Sequence, residues 1–393
     1  MDKTILNIEI QEFINSNIKP DVSSLLLRGI PFDTPDPKLI IEQIEAKKRC
    51  EKKLPTWFRT KNIYYPNKLN IEQTSSETTA HYKAGLVNDN TLIDLTGGFG
   101  IDAYYFSKRV KMVTHCEISS RLSEIVKHNF KVLGVDNVEC VNADGIETLK
   151  GIDKHFDWIY IDPSRRDDSK NKVFLLSDCT PNIKTLQSLF LKYAKHVMIK
   201  TSPLLDITAI KNELKHIKEL HVVAVNNEVK ELLWILERDF KGDLKIKTIN
   251  ITKNGIQDFE FNFEDELKAT VEYALPLTYL YEPNSAILKA GAFNYICSSL
   301  NIKKLHKHSH LYTSDELVNF PGRRFRIEKV MPFNKKVFAK AGIQKANITT
   351  RNFPLSVNDI RKKLKIKDGG MSYLFFTTDK NNTKIIILCS KDI

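Results

Sequence analysis

The segment 91–102, Thr-Leu-Ile-Asp-Leu-Thr-Gly-Gly-Phe-Gly-Ile-Asp, constrains the fold of this chain more than any other segment. A short apolar run stops at glycines and leads into a second apolar run, which predicts a buried strand, a tight turn and a helix. Gly97, Gly98 and Gly100 would let the backbone approach a ligand, because a Cβ there would collide with it. No Lys-Ser or Lys-Thr pair follows at the spacing of a phosphate-wrapping loop, so the turn predicts a site for a dinucleotide or for S-adenosylmethionine.

Carboxylates stand where the next three predicted strands end. Glu117 follows the second strand, where a carboxylate can accept hydrogen bonds from both ribose hydroxyls of an adenosine. Asp144 ends the third strand, and its side chain could accept the adenine amino group. The fourth strand ends directly at Asp162-Pro163. A hydride-transferring enzyme would not need Asp144 or Asp162, so the series favours S-adenosylmethionine.

This series of a glycine turn followed by acidic strand ends resembles the class I S-adenosylmethionine-dependent methyltransferases. The resemblance implies an α/β fold with a seven-stranded Rossmann-like sheet. It implies that the cofactor is bound by Asp94, Thr96, Gly97, Gly98, Gly100, Glu117, Ile118 and Asp144. It also implies that the acceptor is met by Asp162, Pro163 and Arg165.

The stretch 73–77 precedes the first strand, and in this fold such a stretch often passes over the methionine end of the cofactor. Gln73, Ser76 and Glu77 are therefore candidates for contacts with the cofactor's ammonium and carboxylate groups. An equally weighted alternative is that Ser75 or Ser76 only caps a helix that runs to Ala84.

The remainder of the region up to about residue 240 alternates regularly between strand and helix patterns. Strand-like runs at 220–225 and 229–236 are joined through Asn226-Asn227, a turn signal. A parallel sheet that ends in an antiparallel hairpin is the methyltransferase pattern, and this agreement is independent of the glycine turn.

Composition limits the class of protein. At 393 residues the chain is too long for one ordinary domain. Its six cysteines are scattered without zinc-ligand spacing, which predicts a cytoplasmic protein with reduced thiols and no metal site. His306, His308 and His310 alternate, but no Cys or carboxylate accompanies them, so we expect surface histidines.

The N-terminus lacks a signal-peptide pattern, and no apolar run approaches the ~20 residues of a membrane span.

The C-terminal segment, from about residue 319, is compact and basic, and its predicted order βαβαββ indicates a small α+β domain. Basic residues meet few acids there: Arg323, Arg324, Arg326, Lys335, Lys336, Arg351, Arg361, Lys362, Lys363, Lys365 and Lys367. Phe325, Phe353 and Tyr373 lie among them, and such interleaving suits phosphate contacts and base stacking. With a net charge of +12, the concentration of charge in one appended domain favours RNA binding over a solvated helix face.

Further motifs extend the resemblance to nearly the whole chain. They are Gln73-Thr-Ser-Ser-Glu, Asp94-Leu-Thr-Gly-Gly, Asp162-Pro-Ser-Arg-Arg, Tyr281-Glu-Pro-Asn, Pro321-Gly-Arg-Arg-Phe and Arg351-Asn-Phe-Pro. Together they look like bacterial class I methyltransferases with a ferredoxin-like insert and a C-terminal THUMP-like domain. The resemblance implies an RNA substrate, tRNA or rRNA, without fixing the nucleotide; it leaves the oligomeric state open.

We expect four regions: an N-terminal helical region at 1–85, a methyltransferase domain at 86–240, a ferredoxin-like insert at 241–318 and a THUMP-like RNA-binding domain at 319–393.

The loop at Asp162 limits the chemistry. Enzymes that methylate exocyclic amines carry a four-residue loop that starts with Asp or Asn and continues with two prolines and an aromatic residue. Here Ser164 replaces the second proline, and Arg165 replaces the aromatic residue. An Arg can stack on a base or hold a phosphate, although Arg165 and Arg166 could instead pair with the two aspartates that follow. The position of the nucleophilic Cys of pyrimidine C5 methyltransferases reads Lys200-Thr-Ser-Pro, so covalent C5 chemistry is disfavoured.

Two readings of the function follow from these residues. The first is direct methyl transfer to a base nitrogen of RNA. The second is an S-adenosylmethionine-binding, RNA-binding protein without RNA methylation, or a methyltransferase for a protein or a small molecule. Asp162 itself has a structural alternative, since a strand-end carboxylate can simply cap the turn that follows it.

Overall fold

The computed structural model describes residues 1–19, 24–25, 27, 29–165, 176 and 179–391. The chain divides into two compact units. The first unit is Met1–Lys218 with Leu233–Lys241, and the second unit is Glu219–Leu232 with Gly242–Ile393. Among the described residues, no helix is long and apolar enough to cross a membrane.

The first unit begins with helices and continues as alternating strands and helices. After a 3-10 helix at Lys3–Leu6, the helices are α1 (Ile8–Ser16), α2 (Pro37–Lys53), α3 (Pro55–Arg59), α4 (Lys68–Gln73), α5 (Glu77–Leu86), α6 (Ile101–Phe106), α7 (Ser120–Val132), α8 (Gly145–Gly151), α9 (Ile183–Tyr193) and α10 (Ile207–Glu213). The strands are β1 (Thr91–Asp94), β2 (Met112–Cys116), β3 (Val138–Val141), β4 (Phe156–Ile161), β5 (Ser164–Arg165), β6 (Cys179–Thr180) and β7 (Ala194–Thr201). Two further strands, β8 (Ile217–Val225) and β9 (Glu228–Glu237), run across the division between the units.

The second unit is mostly antiparallel. Its strands are β10 (Lys245–Thr252), β11 (Gly255–Asn262), β12 (Tyr279–Pro283), β13 (Lys303–Lys304), β14 (Tyr312–Ser314), β15 (Gly322–Pro332), β16 (Lys345–Arg351), β17 (Lys367–Thr378) and β18 (Lys384–Ser390). Its helices are α11 (Phe263–Lys268), α12 (Ser285–Ala290), α13 (Tyr295–Leu300), α14 (Lys335–Ala339) and α15 (Val357–Leu364).

The large sheet brings the predicted strand ends to one edge. Its order is β11-β10-β8-β9-β7-β4-β1-β2-β3. The strand β1 pairs in parallel with both β2 and β4, so that Asp94 lies opposite His115 on one side and Tyr160 on the other. Parallel strands in register place their carboxyl ends together, which is where open α/β sheets bind ligands.

The α/β fold class is confirmed, and the strand count differs from the prediction. The sequence predicts seven strands, and in the described part of the chain the sheet has nine. The additional pair is the hairpin β10–β11, which lies within the region 241–318 expected as the insert, and β10 pairs in parallel with β8. The alternating pattern of a hairpin shows which of its faces is buried, but it carries no information about which sheet edge the hairpin joins.

Two of the three glycines in the turn after β1 make room for the protein itself. A Cβ on Gly97 would lie 2.3 Å from Nε2 of His115, and a Cβ on Gly100 would lie 2.8 Å from the ring of Phe130. Gly100 also has a left-handed φ of 77° as it starts α6. A Cβ on Gly98 would meet no clash, since the nearest atom is a backbone oxygen at the ordinary contact distance of 3.8 Å. Gly97 and Gly100 therefore have a structural reason to be glycine, and the contact of all three glycines with a ligand stays a prediction.

The C-terminal part of the second unit forms a sheet of the order β13-β14-β12-β15-β18-β17-β16, and it confirms the predicted strands and helices. Two side chains are placed differently from our expectation. Phe325, expected among the stacking residues, is fully buried in a core cluster. His306, expected at the surface, is 8% exposed; its ring contacts Asn382 at 3.1 Å and Asn352 at 3.0 Å.

The close approach of Gly97 to His115 generates a stability prediction. We expect Gly97→Ala to lower the free energy of unfolding of the first unit by about 1–3 kcal/mol, because the new methyl group overlaps a buried ring. Urea unfolding followed by tryptophan fluorescence measures this, since all 3 tryptophans lie in the first unit. Gly85→Ala is the control, because a Cβ there meets nothing within 4 Å and alanine favours the helix. Equal midpoints for the two variants would contradict the packing argument.

Candidate cofactor and acceptor site

Hydrogen bonds join the ends of β1 and β4. Asp94, at 1% exposure, accepts the backbone N–H of Thr96 through Oδ1 at 3.0 Å. The Thr96 hydroxyl oxygen in turn accepts the backbone N–H of Asp162 at 2.7 Å. Thr96 therefore fixes the backbone at Asp162, where the loop predicted to meet the methyl acceptor begins.

Glu117 joins the ends of β1, β2 and β3. Its Oε2 accepts the backbone N–H of Gly98 at 2.9 Å, and its Oε1 accepts the backbone N–H of Ser119 at 2.7 Å. The Asn142 amide donates to the carbonyl of Glu117 at 2.9 Å. These bonds fix the carboxylate while each of its oxygens keeps a lone pair for a ligand hydroxyl.

Asp144 caps the helix α8. Its Oδ1 accepts the backbone N–H groups of Ile146 at 2.8 Å and Glu147 at 3.0 Å. The helix begins close to β1, because a Cβ on Gly145 would lie 2.2 Å from the carbonyl oxygen of Leu95. Within the described residues, Oδ2 of Asp144 accepts no hydrogen bond, so the cap leaves one carboxylate oxygen for a ligand.

The hydrogen-bond acceptors at this edge fit an adenosine-containing cofactor. Glu117 and Asp144 offer carboxylate oxygens, and a Cβ on Gly98 would meet no clash. Ile118 is 72% exposed beside Glu117 and offers an apolar surface for a base. The roles of the individual residues remain predictions.

A buried network lies behind the turn and was not found from the sequence. The fully buried ammonium of Lys83 lies 3.1 Å from Oδ1 of Asp102, and it donates to the Ser75 hydroxyl at 2.7 Å. Ser75 and Tyr160 each donate to Oδ2 of Asp102 at 2.8 Å. The network ties α5 and the stretch before it to the helix that follows the glycine turn. A lysine between Ala80 and Ala84 on the apolar face of a helix was the available signal.

Burial acts differently on the two carboxylates near the turn. Burial raises the pKa of Asp94 well above its usual value, and the neighbouring carboxylates of Asp102, Asp162 and Glu117 act in the same direction. Burial also opposes ionisation of Asp102, but the cations of Lys83 and Lys200 and its hydrogen bonds bring its pKa below the usual value. Asp102 is therefore the ionised member of the pair at neutral pH, and Asp94 holds its proton more strongly.

Asp162 forms an ion pair that also escaped the sequence analysis. The Lys200 ammonium, from the end of β7, contacts Oδ2 of Asp162. In the sequence, the segment that begins at Lys200 indicates only that a nucleophilic Cys is lacking. Pro163 follows at intermediate exposure, and the Ser164 hydroxyl donates to the carbonyl of Thr180 at 3.4 Å.

The structure describes only the backbone of Arg165 among the two predicted arginines of this loop. Arg165 pairs in the ladder with Cys179 through its backbone, and its side chain lies outside the described part. Arg166 and the aspartates at 167 and 168 also lie outside the described residues.

The stretch 73–77 has clear structural roles at its C-terminal end. Ser76 caps α5 by accepting the backbone N–H of Thr79 at 3.2 Å, as the alternative interpretation expected. The Glu77 carboxylate accepts the Thr56 backbone N–H at 2.6 Å and the Tyr105 hydroxyl at 2.8 Å, so it holds helices together. Gln73 ends α4 with an exposed side chain and stays a predicted contact of the cofactor.

Three of the predicted basic residues of the second unit are engaged by acids. Glu282, at 5% exposure, receives the guanidinium of Arg323 on Oε2 and that of Arg351 on Oε1 at 2.9 Å. Arg361 pairs with Asp368 at 2.5 Å. Charge counted along the sequence therefore overstates the charge that is free to meet a polyanion.

Comparison with known proteins gives two domain matches. Residues 322–391 match the family described as THUMP domain-like. Residues 279–321 match a family described as a ferredoxin-like domain. A search of curated proteins gives no match.

Comparison with solved structures gives a full-length match. A provisionally assigned methyltransferase from Porphyromonas gingivalis W83 is 31% identical, with a TM-score of 0.91 and 100% of both chains covered. An rRNA methylase from Streptococcus thermophilus is 16% identical, with a TM-score of 0.31 over 42% of this chain and 96% of its own. A provisionally assigned methyltransferase from Streptococcus mutans, solved with S-adenosylhomocysteine, is 15% identical, with a TM-score of 0.32 over 41% of this chain and 96% of its own.

The buried network generates a second stability prediction. We expect Lys83→Met to lower the free energy of unfolding of the first unit by about 3–5 kcal/mol, because it leaves the Asp102 carboxylate buried without its cation. Adding Asp102→Asn should recover most of this loss, since the amide is neutral and the two lone pairs of its one oxygen can accept the Ser75 and Tyr160 hydroxyls. Urea midpoints of the single and double variants measure both steps. A double variant no more stable than Lys83→Met would show that the ion pair is not the cause.

Asp94 generates a prediction on pH dependence. Since burial raises its pKa in the folded chain, the folded state binds the proton more tightly, and stability falls as the pH rises from the ordinary Asp value towards the raised one. Asp94→Asn removes this cost and still offers an oxygen to Thr96. The gain in unfolding midpoint over wild type should therefore be smallest near the ordinary Asp value, about pH 4, and should grow as the pH rises above it. The exposed Asp153, changed to Asn, serves as the control. Parallel curves for Asp94→Asn and wild type would contradict the assignment.

Proposed function

Because this chain belongs to the family of class I methyltransferases that carry a ferredoxin-like and a C-terminal THUMP-like domain, we propose that it is an S-adenosylmethionine-dependent RNA methyltransferase. The proposed reaction is direct transfer to a base nitrogen of tRNA or rRNA. One observation carries the cofactor part of the proposal. The polar groups at the ends of β1, β2 and β4 are bonded to one another at a single sheet edge, through Thr96 to Asp162 and through Gly98 to Glu117.

The cofactor would be held by groups that the site leaves available. Glu117 would accept the ribose hydroxyls, and Oδ2 of Asp144 would accept the adenine amino group beside the exposed Ile118. Asp94, Thr96, Gly97, Gly98, Gly100 and Gln73 complete the proposed set. When bound, the sulfonium supplies a methyl group that is already activated, so the protein has mainly to position the acceptor and exclude water.

Asp162 would accept a hydrogen bond from the nitrogen that receives the methyl group. Its Oδ2 is engaged by Lys200, and its backbone is fixed through Thr96. In the part of the chain described here, Oδ1 accepts no hydrogen bond and stays available for a base N–H. The Pro163 carbonyl would be the neighbouring acceptor, and Arg165 would contact the base or a phosphate. A carboxylate held at both ends loses little freedom on meeting the base, which favours transfer.

The RNA part of the proposal rests on the appended domain. The chain has a net charge of +12, and the THUMP domain-like region at 322–391 carries a concentration of lysine and arginine. Even after the arginines bound to Glu282 and Asp368 are set aside, the lysines at 335, 336, 362, 363, 365 and 367 are exposed. Such a surface attracts phosphates in a salt-dependent way.

The proposed function is tested by comparing the nucleosides of cells with and without the protein. Mass spectrometry of digested tRNA and rRNA should show the loss of one N-methylated nucleoside in the cells that lack it. Restoring the gene should restore that nucleoside. An unchanged nucleoside profile would contradict the proposal that RNA accepts the methyl group. Calorimetric binding of S-adenosylmethionine by the purified protein would in that case still support the cofactor assignment.

Asp162 provides the matching prediction on activity. We expect Asp162→Ala to lower methyl transfer to RNA from the deletion cells by about 100-fold or more, because the variant no longer orients the acceptor nitrogen. Its affinity for S-adenosylmethionine by calorimetry should change little. Glu147→Ala is the control, since it removes an exposed carboxylate of the same unit. Full activity in Asp162→Ala with intact cofactor binding would refute the proposed role.

A further inference from the structure

The second unit contains a groove between α14, the loop that follows it, and the end of α15. Its volume is about 530 Å³, within the ~300–1,000 Å³ range of ligand sites. Apolar side chains of Phe338, Ile343 and Leu364 line it. Lys335, Lys365 and Lys367 also line it, and all three lysines are exposed.

These three lysines are distinguished by what surrounds them. Where the structure is described, none of them lies within salt-bridge distance of a carboxylate, whereas Arg323, Arg351 and Arg361 are all paired. The exposed Asp368, adjacent in sequence to Lys367, is itself bound to Arg361. The groove is therefore a place where cations remain without an internal counter-charge.

A purely structural role explains only part of this arrangement. Lysines near the C-terminal end of a helix interact favourably with the helix dipole, which accounts for Lys365 and its predecessors at the end of α15. Lys335 starts α14 and Lys367 starts β17, so neither gains from that dipole. Three cations contributed by separate elements to one groove are better explained by an anionic ligand.

Resting on the proposed function, we propose that this groove binds an unpaired segment of the RNA substrate. The lysines at 335, 365 and 367 would contact successive phosphates, and the apolar lining would take an unstacked base. The combination selects single-stranded over double-stranded RNA, since a duplex presents phosphates but keeps its base faces stacked. The groove would thus hold the substrate independently of the acceptor site in the first unit.

The test uses the full-length protein and a fluorescein-labelled single-stranded RNA of about ten nucleotides, a length in the range of single-strand binding sites. Binding is measured by fluorescence anisotropy over a series of salt concentrations. The test variant changes Lys335, Lys365 and Lys367 to Gln. The control variant changes Lys307, Lys329 and Lys380 to Gln, which removes the same charge from exposed positions of the second unit that do not line the groove.

We expect the test variant to bind the RNA at least about tenfold more weakly than wild type, because three phosphate contacts of a single strand are lost. The slope of log affinity against log salt concentration should become shallower by about 2 for the same reason. The control variant should stay within about twofold of wild type. A duplex of the same length should bind the wild type more weakly than the single strand. Unchanged thermal midpoints and calorimetric affinity for S-adenosylmethionine would show that both variants are folded.

Other outcomes overturn the inference and identify what replaces it. Equal weakening by both variants would mean that a diffuse field, rather than the groove, attracts RNA. An unchanged test variant would place the RNA elsewhere. Preferential binding of anionic vesicles over RNA would assign the lysines to a membrane surface. None of these outcomes decides the proposed function, because loss of a methylated nucleoside from the deletion cells is measured separately.

Discussion

The buried carboxylate of Asp102, in the helix α6 that follows the glycine turn, is the constraint on which the proposed site depends. A carboxylate removed from water costs several kcal/mol unless a cation and hydrogen bonds replace its hydration. Asp102 meets this requirement with Lys83, Ser75 and Tyr160, which come from three different segments. The helix after the glycine turn, the helical region before β1 and the fourth strand are thereby locked together. The turn itself is then held between fixed elements.

Local features of the site could be predicted from the sequence, and paired features could not. The strand, turn and helix at 91–106 follow from an apolar run and glycines, because those signals act over a few residues. Lys83 and Asp102 lie 19 positions apart, and Lys200 and Asp162 lie 38 apart, so only the folded sheet brings them together. Neither lysine carries a local pattern that would name its partner.

The glycines and the arginines show the same limit in another form. A glycine in the sequence shows that no Cβ is present, but it does not show which atoms occupy the space beside it. At Gly97 these atoms belong to the ring of His115. An arginine shows that a positive charge is present, but it does not show whether an acid neutralises that charge. At Arg323 and Arg351 the acid is Glu282. In both cases the sequence identifies the residue type, and only the folded structure identifies the neighbour that surrounds or neutralises it.

The Asp162–Lys200 pair explains how the acceptor loop can depart from the Asp-Pro-Pro-aromatic pattern under the proposed function. In that pattern the base is held by stacking on the aromatic residue, and Ser164 and Arg165 remove this support. An ammonium beside the carboxylate offers a hydrogen-bond donor next to an acceptor, and base edges present the complementary pair of a ring or carbonyl acceptor next to an N–H. Edge contacts of this kind orient a base without stacking it. The ion pair at the end of β7 can therefore replace part of the function that the missing aromatic residue has elsewhere.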